Sequence, residues 1–327
     1  MMKLVAIEEH FLTEAVKDEW RNYSDQDGPT QKLHFGEIEN RLDEIGNTRL
    51  RLMDETGIDM QVLSLTSPSL HNLGTESVAL ATLTNEYVAE IVRKTPDRFQ
   101  GFAALPMAVP KEAARELKRS VENLGLKGAM VCGRTREKNL DHKDYWELFD
   151  CAETLGVPLF IHPQIPQKAV RDVYYSGFDE LTNLAFSTFG LGWHYEAGIQ
   201  FVRLVLAKVF DQFPNLQIIL GHWGEVILFY TERLASLNRV TKLDKPFIDY
   251  VRQNLHVTAS GMFSHSYLQR SVDIIGADRI LFSTDYPYQY RPGREARNFL
   301  EAIELSQEDK EKFSFANWER LTGIDTK

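Results

Sequence analysis

Short apolar runs rich in β-branched residues alternate along this chain with longer amphipathic stretches. The runs are Leu4–Glu8, Met60–Leu65, Gln100–Leu105, Ala129–Cys132, Pro158–Ile161, Gln217–Leu220, His256–Thr258 and Ile280–Phe282. Each is nearly continuously apolar, the pattern of parallel strands covered on both faces. The clearest helical stretches between them are Glu76–Lys94, Lys111–Leu124, Tyr145–Leu155, Glu196–Phe213 and Ser266–Ile275. Gly156-Val157-Pro158 and Phe213-Pro214-Asn215 read as stop signals that lead into the next strand. Eight strand-helix units predict an α/β fold, a (β/α)8 TIM barrel, as a single domain over residues 1–327.

Such a barrel takes about 250 residues. The excess falls in two insertions, Leu12–Gly46 after strand one and Pro163–Tyr195 after strand five. Both follow a strand, which places them over the C-terminal mouth where these barrels bind ligands. A doubly wound open sheet also alternates strands and helices, but it carries a glycine-rich phosphate turn after an early strand. None follows Leu4–Glu8.

Polar residues with metal-binding chemistry stand at the ends of these strands. Strand one ends Ile7-Glu8-Glu9-His10, strand five Phe160-Ile161-His162-Pro163, strand six Gly221-His222-Trp223-Gly224-Glu225, and strand eight Ser283-Thr284-Asp285-Tyr286-Pro287. Two residues apart on an extended segment, Glu8 and His10 share a face, while Glu9 points away. Singly, each has an ordinary reading. His162 would serve as a hydrogen-bonded loop histidine, Glu8 and Glu9 as a solvated turn, Asp285 as a helix N-cap. Four such placements at one barrel mouth point to ligation instead, because polar groups there are costly unless paired or ligated. Glu8, His10, His162 and Asp285 supply two imidazoles and two carboxylates, a set suited to Zn²⁺ or Mn²⁺ with a position left open.

Composition narrows the partners. Lys plus Arg (37) against Asp plus Glu (47) leaves a net charge of −10, which disfavours nucleic acid and anionic membrane surfaces. No apolar stretch approaches the roughly 18 residues of a transmembrane helix. The carboxylate pair near the N-terminus interrupts what a signal peptide would need. Two cysteines, Cys132 and Cys151, make no disulfide framework. A cytoplasmic location is expected.

Several motifs resemble those of the amidohydrolase superfamily, in its branch of metal-dependent aromatic acid decarboxylases. They are Glu8-Glu9-His10-Phe11, Ile161-His162-Pro163, Gly192-Trp193-His194-Tyr195-Glu196, Leu220-Gly221-His222-Trp223-Gly224-Glu225 and Phe282-Ser283-Thr284-Asp285-Tyr286-Pro287. Asn47-Thr48-Arg49-Leu50 and Lys94-Thr95-Pro96-Asp97-Arg98-Phe99 also match, so the resemblance covers nearly the whole chain. It is strongest to the dihydroxybenzoate type. Many hydrolases of the superfamily open with His-x-His and bridge two metals through a lysine after strand four. Here the opening is Glu-x-His, and Ala129-Met130-Val131-Cys132 ends without a lysine, so the resemblance implies one metal.

The resemblance further implies that Glu8, His10, His162 and Asp285 hold this divalent ion and that Asp285 donates the proton. It makes His222 and Glu225 a hydrogen-bonded pair beside the substrate. Arg233 is expected either to bind the substrate carboxylate or to pair with Glu225. Phe11, Trp20, Tyr23, Trp193 and Tyr288 are candidates to stack on a planar ring, with core packing as the alternative for each. The activity implied is non-oxidative decarboxylation of a hydroxybenzoate. A hydrolase of the same superfamily, such as a lactonase using metal-activated water, is the alternative. The partner implied is a small aromatic carboxylate, and the assembly a homodimer or homotetramer.

Overall fold

A computed structural model describes residues 2–21 and 30–323. Its strands are β1 (Val5–Phe11), β2 (Met60–Leu65), β3 (Phe99–Gly101), β4 (Ala103–Ala104), β5 (Ala129–Val131), β6 (Leu159–Ile161), β7 (Ile218–Leu220), β8 (Leu255–Thr258) and β9 (Ile280–Leu281). All pair in parallel with their chain neighbours, in the order β1-β2-β3 and β4-β5-β6-β7-β8-β9. β3 and β4 are one barrel strand interrupted at Phe102, whose N–H still reaches the Leu63 carbonyl at 2.9 Å. The ring closes where Ile7 N–H donates to the Phe282 carbonyl (3.1 Å) and His10 N–H to that of Tyr286 (2.7 Å). Eight parallel strands closed on themselves are the expected barrel.

Two cores hold it together. Val5, Ile7, Met60, Val62, Phe102, Met130, Phe160, Ile219 and Leu281 fill the barrel, with Trp318 packed among them. Trp318 stands edge-on to Phe102 and donates its indole N–H to Gln100 Oε1 at 2.7 Å. A larger cluster lies between the strands and the surrounding helices.

One irregularity in β1 decides where the chemistry goes. Val5 and Ile7 face inward, and unbroken alternation would turn Glu9 inward next. Instead the register slips between Ala6 and Glu9, where two residues of β1, Ile7 and Glu8, oppose one of β2, Val62. This bulge reverses the phase, so Glu8 and His10 enter the mouth and Glu9 turns outward to Gln61.

The helices follow the expected stretches, with one departure. The stretch read as Glu196–Phe213 is two helices, Gly192–Leu206 and Val209–Gln212, broken at Lys208 with φ +61°. The helix therefore begins four residues early and carries Trp193, His194 and Glu196 in its first turns.

Candidate active site

The ligand candidates converge at the C-terminal mouth. Glu8, His10 and His162 each offer a ligand atom, all within 4.8 Å of one another. Asp285, on the loop after β9, brings Oδ1 to 3.3 Å from His10 Nε2. Neighbours orient each group. Glu8 Oε2 accepts hydrogen bonds from the hydroxyls of Ser260, Thr258 (3.2 Å) and Ser283 (3.3 Å). His162 Nδ1–H donates to the Pro163 carbonyl at 2.8 Å, which leaves Nε2 with its lone pair. Ser64 Oγ lies 3.2 Å from His10 Nδ1 and can fix that ring in the same sense.

What these anchors leave over is informative. Among the described residues, Glu8 Oε1 and His10 Nε2 are buried without a hydrogen-bond partner, and both face the cluster. Burial, partly offset by His222 and reinforced by Asp285, raises Glu8 to about 8. Burial raises Asp285 to about 7 against the pull of His222 and His194. His10 is held down at about 3, chiefly by burial, and His162 well below its usual value for the same reason. Neutral imidazoles, crowded carboxylates and orphaned donor atoms are what a divalent cation satisfies, so the four residues fit one.

A second group flanks the first. Glu225 is buried and accepts from both neighbouring imidazoles: His222 Nδ1 at 2.6 Å on Oε1 and His194 Nδ1 at 2.8 Å on Oε2. Burial opposes the charge on His222, but Glu225, with Glu8 and Asp285 adding to it, outweighs burial and raises His222 to about 10. The two histidines conversely overcome burial and hold Glu225 at about 2. With both oxygens already committed, Glu225 reads as a hydrogen-bonding bridge rather than a ligand. His222 Nε2 points on toward Asp285 Oδ2, 4.0 Å away.

The backbone carrying this group is strained. His222, Trp223, Gly224, Glu225 and Val226 all have positive φ, between 47° and 88°. Left-handed geometry costs a non-glycine residue about 1–2 kcal/mol. Ser260 Oγ accepts from His222 N–H (2.8 Å), and the Met262 carbonyl from the Trp223 indole (2.8 Å). Gly221, just before the turn, is needed for room. A Cβ there would lie 2.8 Å from Ser260 Oγ, 3.1 Å from Glu8 Oε1 and 3.3 Å from Glu225 Oε1. Gly221→Ala is expected to weaken divalent-metal affinity at least about tenfold, within the range for overpacking a filled site. Calorimetric titration with Mn²⁺ checks this, with circular dichroism showing that the barrel is retained.

A cavity of about 770 Å³ opens above the cluster. Both long segments contribute to it: Leu33, His34 and Phe35 from the first, Phe189, Leu191 and Trp193 from the second. Tyr288 borders it, its ring 5.5 Å from that of His10 and its hydroxyl 2.5 Å from Thr66 Oγ1. Trp193 stands edge-on to His162 at 6.2 Å. Both of these aromatic candidates therefore border the cavity.

Three expectations need correction and one falls outside the described residues. Arg233 is exposed on the helix Ile227–Leu234 and does not border the cavity. Its proposed partner Glu225 is already taken by the two histidines. Phe11, at the end of the outward-phased part of β1, is core, 6.4 Å from Tyr87. Trp20 is buried behind His34 and donates to the Ser69 carbonyl at 2.9 Å. Tyr23 lies outside the described residues.

Several supports of the site carry little signal in the strand-end pattern. Glu9 accepts from Thr284 N–H (2.8 Å) and its hydroxyl (2.5 Å), steadying the residue before Asp285. Buried Arg49 donates to the His10 carbonyl and lies over the Tyr286 ring, 4.5 Å from its centre. The hydroxyls at the ends of β8 and β9, Thr258, Ser260 and Ser283, were the available signal, since hydroxyls beside buried carboxylates supply the missing donors.

A barrel with a one-metal ligand cluster at its mouth defines the class. The family model described as amidohydrolase matches residues 20–321, and the chain belongs to that family. It is 35% identical to a γ-resorcylate decarboxylase of Polaromonas sp., over 97% of each chain. A structure of a dihydroxybenzoic acid decarboxylase from Polaromonas sp. JS666, with bound manganese and the inhibitor 2-nitroresorcinol, is similar at TM-score 0.85. The two share 33% identity over 99% of this chain and 98% of that one. A 5-carboxyvanillate decarboxylase from Novosphingobium aromaticivorans, in complex with manganese and 4-hydroxy-3-methoxy-5-nitrobenzoic acid, reaches TM-score 0.90. Its identity is 28%, over 98% of this chain and 96% of that one.

Proposed function

We propose that this chain is a divalent-metal-dependent, non-oxidative decarboxylase of a hydroxybenzoate-type aromatic acid such as γ-resorcylate or 2,3-dihydroxybenzoate. One observation carries the reading. Glu8, His10, His162 and Asp285 converge beneath a cavity bordered by Trp193 and Tyr288, in a chain similar along nearly its whole length to such decarboxylases. The four residues would hold the ion, Mn²⁺ or Zn²⁺, with Mn²⁺ the first to test because related structures contain it. When bound, the ion supplies Lewis-acid stabilisation of negative charge on a phenolate oxygen.

The rest falls to the chain's own side chains. Direct loss of CO₂ would leave an aryl anion, so the ring carbon bearing the carboxylate must receive a proton first. Asp285 is buried, holds its proton near neutral pH and sits beside the ligand cluster, so it is the donor. The bond to the carboxyl carbon then breaks, CO₂ leaves and its electron pair restores the aromatic ring. Asp285, now ionised, regains a proton from solvent. Cationic His222 faces Asp285 and the cavity, where it attracts the substrate's anionic end. Trp193 and Tyr288 border the ring.

Purified protein loaded with Mn²⁺ or Zn²⁺ tests the reading against a panel of hydroxybenzoates, with CO₂ release measured directly. Release from a 2,6- or 2,3-dihydroxybenzoate is expected. Lactone hydrolysis with no CO₂ from any hydroxybenzoate would move the assignment to the hydrolases.

The assembly proposed is a homodimer or homotetramer in the cytoplasm. Tyr195, Ile199 and Leu206 leave an exposed apolar stripe along one helix, and Phe229 and Tyr230 lie exposed on another. Among the described residues both cysteines are free thiols, and no helix is long and apolar enough to cross a membrane. Sedimentation at micromolar concentration should give at least twice the chain mass, and a monomer would overturn the assembly.

A further inference from the structure

The Gly192-Trp193-His194-Tyr195-Glu196 motif contains a residue that the reaction just described does not use. We propose that His194 is a positioning residue of this active site. It holds Glu225 Oε2 so that Oε1 is aimed at His222, and His222 in turn at Asp285. This proposal rests on the decarboxylase reading for its kinetic consequence, though not for its geometry.

Three observations carry it. First, the His194 ring meets an acceptor at each nitrogen. Nδ1 lies 2.8 Å from Glu225 Oε2, and Nε2 lies 3.1 Å from the Phe189 carbonyl oxygen. A carboxylate only accepts, so Nδ1–H is the donor to Glu225, and the ring cannot turn without losing that bond. Its centre is 4.5 Å from that of His222.

Second, the helix that presents it is seated firmly on the turn it restrains. A Cβ at Gly198 would lie 2.4 Å from the Glu225 carbonyl oxygen, so helix and turn touch backbone to backbone. Elsewhere on the helix, Glu196 pairs with buried Arg134 (3.2 Å), and Gln200 Oε1 accepts from Leu140 N–H (2.9 Å). His194 is therefore delivered from a platform tied to the loop after β5.

Third, the turn His222–Val226 is left-handed throughout and must be held from outside. Ser260 and Met262 restrain its first two residues. His194 is the tether at Glu225 that comes from another element. Without it the Glu225 carboxylate is free to rotate about its remaining bond to His222.

The test compares His194→Phe, a ring without donors, with His194→Asn, which returns an N–H donor close to the Nδ1 position. Per bound Mn²⁺, His194→Phe is expected to lower kcat at least about tenfold with KM changed less than about threefold, and His194→Asn to recover much of the loss. Metal content should be the same in all three proteins. A second readout does not depend on turnover. In Zn²⁺-loaded protein labelled at histidine nitrogen, the ring N–H of His222 bound to Glu225 should give a downfield proton resonance. That resonance should shift or broaden in His194→Phe and return in His194→Asn. If the larger ring prevents folding, His194→Ala reports the same quantities. Unchanged kcat per metal together with an unchanged resonance in the donor-free variant overturns the proposal. If the wild type releases CO₂ from no hydroxybenzoate yet the resonance responds as described, the decarboxylase reading fails while the positioning role stands.

Discussion

Asp285→Asn is expected to bind a planar substrate analogue such as 2-nitroresorcinol while losing at least about 10²-fold in turnover, as for removal of a general acid. The substitution keeps nearly the same volume and a side-chain oxygen near His10 Nε2, which Asp285 Oδ1 approaches to 3.3 Å. What it removes is the exchangeable proton. Burial raises the carboxyl to about 7, so a proton is available to the ring carbon near neutral pH. An amide cannot complete that cycle. Asp285 also belongs to the ligand set, and weaker metal binding would imitate the loss. Metal content must therefore be measured on the same sample and activity expressed per bound ion. CO₂ release per ion near the wild-type rate would exclude Asp285 as donor, and His222→Asn in the same assay would then test the group facing it.

How far the sequence alone leads differs between frame and site. The barrel was legible because parallel strands buried on both faces leave continuous apolar runs, and each run from Met60–Leu65 onward lies on or beside a strand. The four ligand candidates were legible because strand ends in this fold meet at one mouth, so residues far apart in the chain become neighbours. Their supports were not. Glu9 looks like half of a solvated pair until the bulge in β1 turns it against Thr284. His194 lies inside the motif Gly192-Trp193-His194-Tyr195-Glu196, yet nothing in its spacing shows that a helix starting at Gly192 carries it to Glu225. Arg233 failed for the opposite reason. An arginine in the helix beyond the turn suits a carboxylate chemically, but the left-handed turn and helix leave it exposed and away from the cavity. Side-chain direction after an irregular backbone is a three-dimensional property, and periodicity does not encode it.

Removing a ligand should have an effect as large as removing the donor, but on metal rather than on chemistry. His162 offers Nε2 to the cluster, its other nitrogen committed to the Pro163 carbonyl. His162→Ala should lower Mn²⁺ affinity by about 10²-fold or more, since loss of a supporting contact alone typically costs 10–100-fold. The barrel should still fold, because the site stands at its mouth while the packed core lies among the strands. The sign of the pH dependence follows from burial. Glu8 is raised to about 8 and must be ionised to act as a ligand. Protons therefore compete with the metal below that value, and Mn²⁺ affinity in the wild type should rise with pH from about 6 to 8, by up to roughly tenfold per unit for the proton displaced. His162 is already neutral over this range and contributes nothing to the slope. His162→Ala should accordingly weaken binding at every pH without flattening the curve. Calorimetric titration in buffers of different ionisation enthalpy measures both the affinity and the protons released. Full metal retention in His162→Ala, or wild-type binding with no proton release, would show that the ion is held elsewhere.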